Sequence, residues 1–90
     1  MDDLTGFQRD LLYVIAGANQ PSGQDVKEEI EQYYSDEINH GRLYPNLDTV
    51  VNKGLVEKGQ LDRRTNYYAI TKDGEEAIED RRAWESQYIE

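Results

Sequence analysis

The sequence predicts a small α+β domain, mainly α, with three helices, a β-hairpin and a closing helix. Three observations carry that reading. Apolar residues recur at helical spacing in three successive segments of the first half. Further on, two short runs of strand-forming residues flank a polar turn. A last segment opens on a capping threonine and on acids placed where a helix dipole favours them. Ninety residues suffice for one domain with a modest core and leave no room for a cofactor domain beside a substrate domain.

Thr5 followed by Gln8 has the form of a capping box, and Phe7, Leu11, Val14, Ile15 and Ala18 then recur at helical spacing, predicting a helix over about residues 6–18. Asn19-Gln20-Pro21 breaks it. Ser22 with Asp25 forms a second such box ahead of Val26, Ile30 and Tyr33, and the second helix runs to about Tyr34. After the polar stretch from Ser35 to His40, Leu43, Leu47, Val50 and Val51 make a third stripe ending at Gly54, a residue suited to the left-handed position after a helix. Pro45 falls inside that stripe, where it removes one hydrogen bond and crowds the carbonyl of Gly41. Either the regular helix begins near Tyr44 or its first turn is distorted. Leu55–Leu61 and Asn66–Ile70 read as a hairpin about the turn Asp62–Thr65, with Tyr67 or Tyr68 facing the core. Thr71 caps the last helix, with Asp73, Glu75 and Glu76 in its first turn.

A net charge of −9, from nineteen acids and ten bases, argues by itself against a nucleic-acid partner. It fits either a protein that docks basic partners or a solvated acidic coat of the kind salt-accumulating halophiles use, and the scarcity of lysine suits the coat. Distribution along the chain adds a third fact. Residues 1–41 hold nine acids and two bases, residues 42–72 hold six bases and three acids, and residues 73–90 hold seven acids and two bases. The middle third is a basic island, and its cations are expected to share one face of the domain.

No cysteine and a single histidine, His40, exclude a disulfide frame and a thiolate or histidine-cluster metal site. No cofactor is expected. The acid pairs Glu28-Glu29, Asp36-Glu37 and Glu75-Glu76 sit in solvated stretches, without the apolar pocket a catalytic carboxylate needs. Nothing resembles a phosphate loop, a nucleophile elbow or a histidine dyad. No run approaches the roughly 18 apolar residues of a membrane span, and the opening MDDLTG lacks the features of a signal peptide, so a cytoplasmic, soluble protein is expected.

Three helices, a hairpin and a closing helix are the order of a winged helix-turn-helix, whose third helix enters the major groove while the hairpin wing lies along the backbone. Residues 41–59, GRLYPNLDTVVNKGLVEKG, and residues 67–74, YYAITKDG, add a specific pattern. It has Gly41, Leu43, Tyr44, Pro45 and Leu47, then Gly54-Leu55-Val56, then Tyr68, Ile70, Thr71 and Gly74. In this it resembles the PadR-like transcriptional regulators over about residues 6–80. The resemblance implies a sequence-specific regulator, a repressor that occludes a promoter, acting on double-stranded DNA as a homodimer. It also implies that the terminal helix packs against the first helix of a partner subunit. Residues 1–72 are then the DNA-binding domain and 73–90 a dimerisation helix, seamed by Ile78, Trp84, Tyr88 and Ile89; in a monomer Trp84 and Tyr88 would cover the first helix instead. The chain is more acidic than is common in the family, and after Gly74 there is room for one helix of about four turns.

Arg63 and Arg64 stand together at the wing tip, where planar guanidinium forks can grip phosphate or enter a narrow minor groove, or pair with Asp62. Thr65 and Asn66 add neutral hydrogen bonds to phosphate. Asn39, His40, Arg42, Tyr44 and Asn46 surround the start of the third helix, the end that meets base edges. Arg42 can take guanine O6 and N7, and Asn46 adenine N6 and N7. Asn39 can equally cap the helix, His40 lie free on the surface and Tyr44 pack beneath the helix. Lys53 is expected at the phosphate edge or in water, Tyr34 at the core edge, and Gln24 and Lys27 near the backbone. A domain of this shape that docks a basic protein and never meets DNA is the alternative. In molar salt, specific binding must rest on groove contacts and bound water, and is expected to survive salt that dissociates ordinary repressors.

Overall fold

The computed structural model describes residues 1–89; Glu90, the end of the expected dimerisation segment, lies outside them. The order is α1 (Gly6–Gly17), α2 (Gly23–Tyr34), α3 (His40–Asn52), β1 (Val56–Gln60), β2 (Asn66–Ile70) and α4 (Lys72–Ser86).

Both capping boxes form. Thr5 Oγ1 accepts from the Gln8 amide and Gln8 Oε1 from the Thr5 amide, each at 3.1 Å. Ser22 and Asp25 exchange the same pair of bonds at 3.0 and 3.1 Å. Each box satisfies two amides that a helix start would otherwise leave without partners. α3 begins at His40 and carries Pro45 within it, capped by Asn39, whose Oδ1 accepts from the Arg42 amide at 2.9 Å. The proline therefore sits in the second turn, against a position four residues back that has no side chain. Gly54 takes φ +77° directly after the helix, the left-handed conformation that glycine adopts without a Cβ penalty.

One core unites the elements. Leu4, Phe7, Leu11, Leu12 and Ile15 come from α1 and its approach, Val26 and Ile30 from α2, and Leu43, Leu47 and Val50 from α3. Ile38, Val56 and Tyr68 complete it. β1 and β2 pair antiparallel in the register Val56↔Ile70 to Gln60↔Asn66. Tyr68 is the inward tyrosine, while Tyr67 is half-buried. Ser22 makes an isolated bridge to Tyr67, and the Tyr68 amide donates to the Pro21 carbonyl at 2.9 Å, so the segment entering α2 lies along the hairpin like a third strand.

The wing tip is organised by Asp62, whose Oδ1 accepts from the Arg64 and Thr65 amides at 2.9 and 3.0 Å. Chiefly the Arg64 amide, with help from Thr65, holds the Asp62 carboxyl below the usual aspartate range. Asp62 thus shapes the turn rather than pairing with the arginine side chains. At the other end of the hairpin, the Thr71 amide donates to the Leu55 carbonyl at 3.1 Å and Thr71 Oγ1 to that of Gly54 at 2.7 Å. Gly74 is buried over this junction, and a Cβ there would strike the Leu55 carbonyl and the Ile70 side chain.

Two outcomes follow from this packing. Because a backbone carbonyl cannot swing aside, Gly74→Ala is expected to destabilise the fold by about 1–3 kcal/mol, read as a drop of about 4–8 °C in Tm per kcal/mol. NMR titration should place the Asp62 midpoint below the 3.8 of a free aspartate. With the folded value depressed, the wing-tip turn is complete above the ordinary aspartate range and is lost as pH falls through the folded midpoint.

Candidate nucleic-acid interface

Leu43, Leu47 and Val50 are fully buried. At about 100° per residue, that stripe sorts the rest of α3 into three lines. Arg42, Asn46 and Thr49 run down one flank, and His40 and Tyr44 down the other. Gly41, Pro45, Asp48 and Asn52, all exposed, point away from the core.

The first flank faces α1. Asn46 Oδ1 accepts from Gln8 Nε2 at 2.8 Å, and its Nδ2 donates to the Arg42 carbonyl at 2.7 Å. Gln8, the capping-box residue of α1, therefore also holds Asn46. The Arg42 guanidinium lies 4.1 Å from the Phe7 ring centroid and 5.7 Å from that of Tyr34. The two rings meet edge to face at 5.9 Å. Tyr34 donates from its hydroxyl to Asp10 Oδ2 at 2.7 Å. Burial first, then that bond, pushes the Tyr34 pKa up to about 12.

The second flank borders a groove of about 430 Å³ between the start of α2, the start of α3 and the wing. Ser22, Gly23 and Gln24 form one wall and Arg64, Thr65 and Asn66 the other. His40 and Tyr44, their rings edge to face at 5.4 Å, line it from α3, and Tyr68 contributes from β2. The Tyr68 hydroxyl is buried and has no hydrogen-bond partner among the described residues. Burial, with smaller contributions from Asp48 and Tyr44, pushes its pKa up to about 12, so it stays a donor at neutral pH. Among the described residues no carboxylate lines this groove, in a chain with nineteen acids. Its amide, hydroxyl, imidazole and guanidinium groups suit an anion or a polar base edge.

The cations of the basic island do not share one face. Lys53, beyond the far end of α3, pairs with Asp3 at 2.9 Å, and Lys58 stands 3.9 Å from Asp48. Arg42 is on the α1 flank, and only Arg64 of the island borders the groove. Among the described residues no carboxylate lies within ion-pair distance of Arg63 or Arg64, and both are exposed. Lys27 is bound to Glu31 at 2.9 Å, while Gln24 lines the groove. The expected cluster thus divides. His40, Tyr44, Arg64, Thr65 and Asn66 come together; Asn39 is engaged as a cap, Arg42 and Asn46 face α1, and Lys53 lies apart.

Sequence reasoning missed Phe7 and Gln8 as partners of the α3 flank, and Ser22 and the Tyr68 hydroxyl as parts of the groove. Gln8 and Asn46 are separated by 38 positions, and no local pattern couples them. On α4 and just beyond its end, Trp84, Tyr88 and Ile89 are 49%, 69% and 71% exposed, whereas Ile78 is half-buried against the chain's own core. The Trp84 and Tyr88 rings lie 5.2 Å apart, with the Arg81 guanidinium 4.7 Å from the Trp84 ring centroid.

Comparison with known proteins gives this geometry a context. Among the described residues, no helix is long and apolar enough to cross a membrane. No match is found among curated proteins. RosR of Halobacterium salinarum, in crystals grown from NaBr, superposes with a TM-score of 0.90 at 52% identity, over 97% of this chain and 79% of that one. The complex of RosR with S1 gives 0.92 at 52% identity over 98% and 79%. FabT of Streptococcus pneumoniae in complex with DNA shares the fold, with a TM-score of 0.76 at 19% identity over 97% of this chain and 58% of FabT. The acidic composition accords with the likeness to a halophile's regulator. The model of the transcriptional regulator PadR-like family matches residues 11–80, and the chain belongs to that family.

Proposed function

We propose that this regulator is a homodimeric repressor that occludes a promoter, with α3 in the major groove and the wing on the backbone or in the minor groove. The observation that carries the reading is the carboxylate-free groove between α2, α3 and the wing, flanked by unpaired wing-tip arginines on a molecule of net charge −9. Acid is spread over the surface, Asp48 on the outward line of α3 included, but among the described residues none lines this groove, which favours an anionic partner there. Along the groove, His40, Tyr44, Thr65 and Asn66 offer hydrogen bonds, and Arg63 and Arg64 offer charge. Asn39 supports the site by capping α3, Asn46 by tying its flank to Gln8, and Lys53 stands at the far phosphate edge, paired with Asp3. The protein acts in the cytoplasm and without catalysis. Its carboxylate pairs Glu28-Glu29, Asp36-Glu37 and Glu75-Glu76 are exposed, where a catalytic carboxylate sits in a desolvated cleft.

Dimerisation follows from α4. Residues 1–72 form the DNA-binding unit, and 73–90 supply the seam. Trp84, Tyr88 and Ile89 leave a large apolar area in water that a second copy would cover, with Ile78 anchoring the helix from beneath. A two-fold protein can then read two half-sites about 34 Å apart, or a multiple of that.

Three measurements test the reading. On DNA from upstream of its own gene, the Arg63→Ala/Arg64→Ala double variant is expected to bind about tenfold or more weakly, the loss of one or two charge-assisted hydrogen bonds. Wild-type binding should persist from 0.2 to about 1 M KCl, where the Debye length is about 3 Å. Indifference to the double change would favour a module that docks protein and not DNA. Trp84→Asp is expected to convert a dimer to a monomer by light scattering, with the helical circular dichroism unchanged; a monomeric wild type would end the dimer proposal.

A further inference from the structure

We propose that Arg42 is a clamp for a DNA backbone phosphate, held ready by the rings of Phe7 and Tyr34, and not a reader of base edges. The assignment rests on the DNA-binding reading above and gives the α1 flank of α3 its own partner, a phosphodiester on the strand opposite the wing.

Three observations carry it. The first is direction. With Leu43, Leu47 and Val50 buried, the outward line of α3 is Gly41, Pro45, Asp48 and Asn52, and Arg42 stands about a quarter turn from the middle of it. A helix with its side chains is about 10–12 Å across, and the major groove is about 12 Å wide. Seated in that groove, a helix therefore turns its outer line to the base edges and its two flanks to the two sugar-phosphate walls. The wing-side groove addresses one wall, and Arg42 addresses the other.

The second is the state of its donors. The guanidinium sits 4.1 Å from the Phe7 centroid, beside Tyr34 at 5.7 Å. A guanidinium stacked on a ring keeps its N–H groups at the periphery of its plane, free to meet phosphate oxygens. Among the described residues no carboxylate pairs with it, the nearby Asp10 being engaged by the Tyr34 hydroxyl, and the residue is exposed.

The third is order. The side chain is fixed at both ends: its backbone amide by the Asn39 cap at 2.9 Å, its carbonyl by Asn46 at 2.7 Å, and its head by two rings. An arginine already immobilised loses less entropy when it grips an anion. That matters most where concentrated salt removes the gain from counterion release. Phe7 and Tyr34 act as positioning residues, since neither would touch the DNA.

Selection from a random oligonucleotide pool, followed by affinity measurement on the selected site and on single-base variants, tests the assignment. Arg42→Ala is expected to weaken every sequence alike, by roughly tenfold, with the selected sequence unchanged. Removing a ring, by Tyr34→Leu or Phe7→Leu, is expected to cost roughly two- to fivefold in the wild type and nothing further in Arg42→Ala. Tyr34→Phe combined with Asp10→Asn, which keeps the ring and leaves no freed carboxylate beside Arg42, should bind as the wild type. The use of both ring positions guards against one failing to fold. Relaxed preference at a single base pair in Arg42→Ala would make it a base reader and overturn the proposal, as would unchanged affinity or full additivity with the ring variants. A wild type that selects no sequence would instead bring down the DNA-binding reading beneath it.

Discussion

The burial of one stripe on α3 governs the rest of the molecule. Leu43, Leu47 and Val50 are withdrawn from water completely, and each contributes about 1.5–3 kcal/mol by leaving it. A helix locked by that stripe cannot rotate about its axis without exposing it. Every other side chain of α3 therefore has an assigned direction, whether against α1, toward the wing or out to solvent. The same core seats Tyr68 and Val56 beneath the hairpin, so the wing and the helix are positioned by one set of contacts. Pro45 is accommodated within this arrangement. The hydrogen bond it removes lies on the outward line, and the fully buried neighbours in the same helix hold the backbone in place.

Electrostatics is arranged by omission. A chain of this charge would repel DNA if its carboxylates were spread evenly. Among the described residues the groove beside the wing has none, and three carboxylates elsewhere on the molecule have partners: Asp62 backbone amides, Asp3 Lys53 and Asp10 Tyr34. Glu37 lines a separate cavity with Asn39 and His40, and Asp48 stands on the outward line of α3 with Lys58 at 3.9 Å. In molar salt its charge reaches only about 3 Å, and it can accept a hydrogen bond there without repelling a whole duplex. Ion pairs as exposed as these contribute little to stability. Their consequence is for recognition, because each one fixes where a cation cannot be used.

The two ends of the chain's second half differ in how firmly they are held. The start of α4 is clamped by Thr71 on Gly54 and by Gly74 over the Leu55 carbonyl, whereas its last turn and the turn after it carry Trp84 and Tyr88 into solvent. The helix is anchored at its root, and its far end is exposed and apolar.

How much of this was legible beforehand depends on the range of the interaction. Elements written in local signals were readable: two capping boxes from Thr5/Gln8 and Ser22/Asp25, the left-handed Gly54, the polar turn at Asp62, and Thr71 before its acids. These depend on residues a few positions apart, and the backbone obeys them wherever the segment lies. The motif from Gly41 to Gly74 carried the family for the same reason. The site was readable only as a set of candidates. That Asn46 would be taken by Gln8, that Arg42 would lie on Phe7, and that Ser22 would meet Arg64 across a groove depend on contacts between distant parts of the chain. The sequence by itself determined the elements, the acidic coat and the basic island. Only the tertiary structure decided which cations border the groove and which lie against α1, because the rotation of α3 about its axis is set by the shared core, and no single segment contains that core.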